Sequence, residues 1–261
     1  MRAALVMLAA CGVNQTPQPM PVQELPDCVP NRDRQITADE LPIALGAAEN
    51  YYAGADRTVD LVAESGVYDL SQERPDDTVV AVGPVALGAQ WYAGSFPAGQ
   101  FVVDAGGGID GIYHQDAAAL WLDGSASRDR GANKTLIVYD VPLAVLRFPL
   151  TDGAAWSVAA QLPAGTTIAG LPFIGSDKLD VDVTAGARLD VPYVQFSPVL
   201  RIRSHATRTA SGGSPVVGKR TTLFLFECFG EVARAESEQD EPDPDFTMAV
   251  YLRRFALGVS P

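Results

Sequence analysis

The chain has no apolar run long enough to cross a bilayer, which takes roughly 20 residues. The run at residues 3–10 has eight, and nothing further along approaches a span. Histidine occurs only twice, as His114 and His205. Neither stands in a ligand-like spacing with another histidine or cysteine, so no metal site is expected. Basic residues are outnumbered, 19 Lys and Arg against 32 Asp and Glu, a net charge of −13. That charge disfavours nucleic acid and anionic lipid surfaces as partners. The G-x-S-x-G elbow and the Ser-x-x-Lys pair of common hydrolases are missing, so no catalytic residue is assigned. Strands do not alternate with long amphipathic helices, which argues against a doubly wound parallel sheet. One literal G-x-G-x-x-G exists, Gly106-Gly107-Gly108-Ile109-Asp110-Gly111. A dinucleotide fingerprint needs a helix after it, whereas Ile112-Tyr113-His114 reads as strand. It is therefore a loop, and no cofactor is expected.

What is present begins at the first residues. Met1-Arg2 gives a positive start, residues 3–10 an apolar segment, and Leu8-Ala9-Ala10-Cys11 a small-residue pair before a cysteine. A short apolar segment of this kind suits a secretion signal. These residues resemble the lipobox of bacterial lipoproteins. The resemblance implies that residues 1–10 are a signal peptide and that Cys11 is lipidated. Several acyl chains on one residue exceed the two-signal threshold for stable anchoring, so the membrane becomes a partner through the anchor. It also implies a cell-envelope location. Gly12 is not the aspartate associated with inner-membrane retention, which favours the outer membrane. Residues 11–35 follow as a spacer with Pro17, Pro19, Pro21, Pro26 and Pro30 and no apolar period.

The resemblance uses one of the three cysteines. Cys28 and Cys228 are left, and in an oxidising compartment they are candidates for a disulfide closing about 200 residues. The alternative is two separate cysteines, with Cys228 buried among Phe224, Phe226 and Phe229.

The body reads as β. Thr37-Ala38-Asp39-Glu40 has the form of a capping box for a short helix toward Tyr52. From there the period changes to two. Strands are expected at 58–64, 67–70, 78–82, 89–92, 101–103, 111–114, 118–122, 135–139, 145–150, 155–162, 166–173, 178–184, 188–191, 193–196, 199–207, 220–229, 231–238 and 246–255. In 199–207, Leu200, Ile202 and Ser204 alternate with Arg201, Arg203 and His205. Short strands with frequent turn signals predict an all-β fold: a curved antiparallel sheet, open or partly closed. An internal echo suggests two similar modules. Residues 84–91 and 149–156 both read P-x-x-x-G-A-x-W. The expected division is 36–140 and 141–261, with one continuous domain as the alternative.

Two sets of carboxylates draw attention, Asp177, Asp180 and Asp182, and the acidic stretch Glu236, Glu238, Asp240, Glu241, Asp243 and Asp245. No D-x-D-x-D-G calcium loop is among them, and the second set reads as a solvated hairpin tip. The aromatics Trp91, Trp121, Trp156, Tyr92, Phe96, Phe148 and Phe173 fit either an ordinary core or the walls of an apolar ligand site. Two functions follow. The first is a lipid-anchored envelope protein of binding or structural type, with an apolar ligand or an envelope protein as partner. The second is an envelope hydrolase with a dispersed active site. A polar trio in a cavity favours the enzyme, an apolar groove favours the carrier, and a filled core favours a structural module.

Overall fold

The computed structural model describes residues 28–213 and 215–260. Cys11, the signal segment 1–10 and the spacer to residue 27 lie outside the described residues. In chain order the strands are β1 (Ala48–Thr58), β2 (Val67–Asp69), β3 (Thr78–Val82), β4 (Val85–Ala86), β5 (Phe101–Asp104), β6 (Ile109–Gln115), β7 (Ala119–Ser127) and β8 (Leu136–Arg147). They continue as β9 (Ala155–Leu162), β10 (Thr167–Ile168), β11 (Leu171–Pro172), β12 (Gly175–Val191), β13 (Val194–Ala210), β14 (Pro215–Phe226), β15 (Gly230–Gln239) and β16 (Met248–Ser260). Three short 3₁₀ turns, Ala38–Glu40, Leu87–Ala89 and Ala93–Ser95, are the helical content of the described residues. None of it is long and apolar enough to cross a membrane.

The strands form two open sheets, as the all-β reading expected. The larger runs β2-β12-β13-β14-β15-β16-β1-β3, and β9 also pairs with β12. β9 takes residues 175–182 of β12 and β2 takes 188–190, so the two share one edge end to end. The smaller runs β11-β10-β8-β7-β6-β5-β4. Pairing is antiparallel throughout, except between β2 and β12. The division expected near 141 falls inside β8. Both sheets also mix early and late residues: β1 sits between β16 and β3 in the larger one.

The long strands follow from the alternation. On β14, Phe224 and Phe226 face one core and Leu223 and Leu225 face another. On β13, Leu200 and Ile202 enter the second core, while Val199 enters the first. The larger sheet is therefore covered on both faces. Residues 59–70 and Phe246 cover one face, and the smaller sheet covers part of the other. A third core lies on the smaller sheet, where Tyr92 and Phe96 meet Val102, Ile112 and Ala126.

Several local expectations change. The capping-box turn stops at Glu40, and its Oε2 accepts from the Thr37 N–H at 2.9 Å. Pro42 cannot continue a helix, so the chain is extended by Ala48. Thr58 ends β1, but residues 59–64 do not continue it as a ladder strand. Asp60 Oδ1 takes the Val62 N–H at 3.0 Å, a local bond that competes with strand pairing. Val59, Leu61 and Ala63 still pack into the first core, as their alternation implied. Residues 89–92 fall in and just after a 3₁₀ turn, and 166–173 yield only the two-residue strands β10 and β11. The runs 178–184 and 188–191 are one strand, because register shifts around Gly186 absorb the interruption. Gly106, Gly107 and Gly108 all have positive φ, 85°, 60° and 74°, and form the turn between β5 and β6.

The segment from Cys28 to Leu41 straps the sheets. Cys28 and Cys228 form a disulfide, with Cα atoms 5.5 Å apart. Glu227 Oε2 accepts from the Arg32 N–H at 2.6 Å, and the Cys228 N–H donates to the Glu40 carbonyl at 2.8 Å. Ile36 and Leu150 exchange backbone bonds at 3.1 and 2.8 Å. Consecutive residues on a strand face opposite sides, and Arg253 and Arg254 of β16 use this. Arg253 turns to a buried polar cluster, where it pairs with Asp77 and donates to the Leu70 and Gln72 carbonyls. The Tyr251 hydroxyl also reaches Asp77, at 3.0 Å.

Candidate functional site

Arg254 turns the other way, into a cavity of about 410 Å³ where the two sheets meet. That volume lies in the range of small-molecule sites. β1 and β3 supply Glu49, Tyr51 and Val82; β5, β7 and β8 supply Phe101, Val103, Leu120 and Leu146. β14 supplies Leu223 and Leu225, the turn after it brings Cys228 and Phe229, and the start of β15 brings Gly230 and Glu231. Leu41, Pro42 and Ile43 line it from the strap, with Cys28 at its end. Gly83 makes the rim: a Cβ there would lie 2.1 Å from the Ala47 carbonyl oxygen, so only glycine permits this approach.

The walls are mainly aliphatic, with one polar corner. Arg254 Nη1 lies 2.8 Å from Glu49 Oε1 and donates to the Phe229 carbonyl at 2.9 Å; its Nε donates to the Ala256 carbonyl at 2.8 Å. The Tyr51 hydroxyl sits 2.7 Å from Glu49 Oε2 and 2.8 Å from the Glu231 carbonyl oxygen. Behind Glu231 stands Arg234, Nε to Oε1 3.1 Å. The contact is an ion pair by distance, but neither atom makes a well-formed hydrogen bond. Burial raises the Glu49 carboxyl above its ordinary range, against the pull of Arg254. Burial also raises Glu231, against Arg234. Tyr51 is pushed well up, first by burial and then by the two glutamates. No serine, threonine or histidine is among the described residues of this lining, and both its cysteines are in the disulfide.

The residues singled out in the sequence lie elsewhere, apart from the disulfide. His114 is on β6, its Nδ1 2.9 Å from Asp123 Oδ2 and its ring stacked on Trp121. His205 is on β13, in the other sheet. His205 is half-buried rather than facing solvent, and burial followed by the Arg220 charge lowers its pKa. It borders a smaller polar cleft of about 200 Å³ with Trp156, Asp180, Asp182 and Arg203. Asp177 is held by Arg208 and the Tyr139 hydroxyl, Asp182 by Arg203. The acidic stretch is not wholly solvated. Asp245 accepts from Arg201 and Arg203, and Asp240 from the Gly218 N–H. None of the seven aromatics proposed for a ligand site lines the cavity; Tyr51, Phe101 and Phe229 do. Trp91 and Trp156, the ends of the echo, each donate Nε1–H to a backbone carbonyl at 2.9 Å. Only Trp156 lies in a strand.

No protein-family model, no curated protein and no solved structure matches this chain.

The lining residues that matter chemically, Glu49, Tyr51, Glu231 and Arg254, span most of the chain and form no motif. The sequence reading missed all four, and one signal could have found Arg254. Arg253-Arg254 interrupts an otherwise apolar strand, so one of the two cations had to face inward.

Proposed function

We propose that the protein is a lipid-anchored cell-envelope protein that binds an apolar ligand in the cavity between its sheets. The observation that carries this reading is the cavity itself, about 410 Å³ with largely aliphatic walls. A packed domain leaves few voids larger than a water molecule, so a site of this size is built for an occupant. The hydrolase reading draws less support from the same walls. Glu49 is engaged through both oxygens, and the thiols are bonded to each other.

The test uses a neutral apolar fluorophore, N-phenyl-1-naphthylamine, with the full chain. Saturable binding of one equivalent is expected. Val82→Trp, at the cavity wall on an edge strand, is expected to weaken it at least about tenfold, the equivalent of roughly 1.4 kcal/mol. Circular dichroism checks that the variant folds. Absence of saturable binding by the wild type overturns the reading.

The anchor is tested separately by the intact mass of the membrane fraction. The wild type is expected to begin at an acylated Cys11 and to partition with membranes. Cys11→Ser is expected to move to the soluble fraction. A wild-type protein that keeps Met1, or that partitions like the variant, refutes the anchor.

A further inference from the structure

The walls of the cavity say what its occupant should be made of at one end. This inference rests on the apolar-ligand reading and adds the chemistry of the head. The lining carries two carboxylates, Glu49 and Glu231, and one guanidinium, Arg254. That guanidinium is only 2% exposed and already meets Glu49, the Phe229 carbonyl and the Ala256 carbonyl. Behind the lining, Arg234 lies between Glu231 and Glu236, and Lys219 also pairs with Glu236. The carboxylates keep more of their surface: 24% of the Glu49 side chain and 27% of Glu231 stay accessible. Glu231 Oε1 is buried without a hydrogen bond. The lining therefore holds one more carboxylate than cation, and Glu231 Oε1 is an acceptor without a well-formed donor.

We propose that the ligand is a cationic amphiphile, an apolar chain ending in a protonated amine, with the ammonium seated against Glu231 and Glu49. Three N–H donors meet a lining that holds two carboxylates against one guanidinium, and a positive charge offsets that difference. The aliphatic walls take the chain. A fatty-acid carboxylate in the same place would add a third negative group with no unengaged cation among the lining residues. Burial holds both glutamate carboxyls up, and an ammonium partner would relieve that.

The experiment displaces the neutral fluorophore with decylammonium, decanol and decanoate, below their micelle concentrations. Decylammonium is expected to compete at least about tenfold better than decanol, in line with hydrogen bonds to charged groups. Decanoate is expected to be the weakest. Glu231→Gln keeps the shape and removes the charge. It should weaken decylammonium about tenfold and leave decanol within about twofold. Glu49→Gln supplies a second variant if the first folds poorly. The protein carries −13 overall and will attract cations unspecifically. A decylammonium effect that survives Val82→Trp and both glutamine variants is that surface attraction and overturns the proposal. Equal or better competition by decanol or decanoate also overturns it, while fluorophore binding leaves the cavity reading intact. No fluorophore binding removes the cavity reading and the head-group proposal together.

Discussion

Unfolding of the Cys28→Ser/Cys228→Ser double variant is expected to need about 5 kcal/mol less than unfolding of the oxidised protein. The bridge joins residues 200 apart in sequence. It removes much of the freedom of the unfolded chain, and loop-closure entropy gives that magnitude for a ring of this size. The native side adds to it. Releasing Cys28 loosens the strap whose Arg32 N–H meets Glu227 and whose Glu40 carbonyl meets the Cys228 N–H. A domain commonly has 5–15 kcal/mol in all, so the variant should lie close to its stability threshold. Urea titrations of oxidised, reduced and double-variant protein measure this. The reduced protein and the variant should nearly coincide, with the oxidised protein well above. A difference below about 1 kcal/mol would mean that the bridge is absent in solution or that the reduced chain stays collapsed. Because both cysteines line the cavity, fluorophore affinity should fall with the bridge.

The second large effect is expected at Arg253. Arg253→Met should cost about 3–5 kcal/mol, the range for breaking one side of a buried ion pair. Arg253 and Asp77 are each 3% exposed in their side chains. The guanidinium also lies 4.4 Å over the Tyr251 ring and answers the Leu70 and Gln72 carbonyls. Methionine fills much of the volume but leaves Asp77 charged and buried. Among the described residues, the Tyr251 hydroxyl, the Arg74 N–H and a more distant Arg57 would then face it. Pairing Arg253→Met with Asp77→Leu should cost clearly less than the two single losses summed, because no orphaned charge is left. A double-mutant cycle by urea unfolding reads this directly. An additive cycle would show that the two groups act independently.

The sequence foretold the sheets better than it foretold the site, and particular residues show why. β13 and β14 were legible because each is covered on both faces by different material. Leu200 and Ile202 face aliphatic residues, and Arg201 and Arg203 face Asp245. Period two therefore survives in the letters. β1, AENYYAGADRT, was missed because few of its residues are fully buried and its polar residues do structural work. Glu49 and Tyr51 face a cavity rather than a packed core. A cavity wall asks for neither a clean apolar stripe nor a clean polar one. Residues 58–64 erred the other way. Their apolar alternation was real and reached a core, but Asp60 bonded locally and no partner strand lay alongside. The disulfide was suggested by cysteine number alone. Its place at the cavity wall depends on strand order, which no local pattern encodes.

That strand order has a consequence for synthesis and truncation. Among the described residues, β1 and β3 join the ladder of the larger sheet through β16, which lies latest in sequence of the described strands. Contacts of such long sequence separation make folding slow. The wall carrying Glu49 and Tyr51 cannot take its place until residues 248–260 have left the ribosome. A deletion of residues 248–260 would remove an interior strand instead of trimming an edge. Until residues 248–260 are made, the chain lacks a finished larger sheet and a finished cavity, and so stays open to handling by the cell in unfolded form.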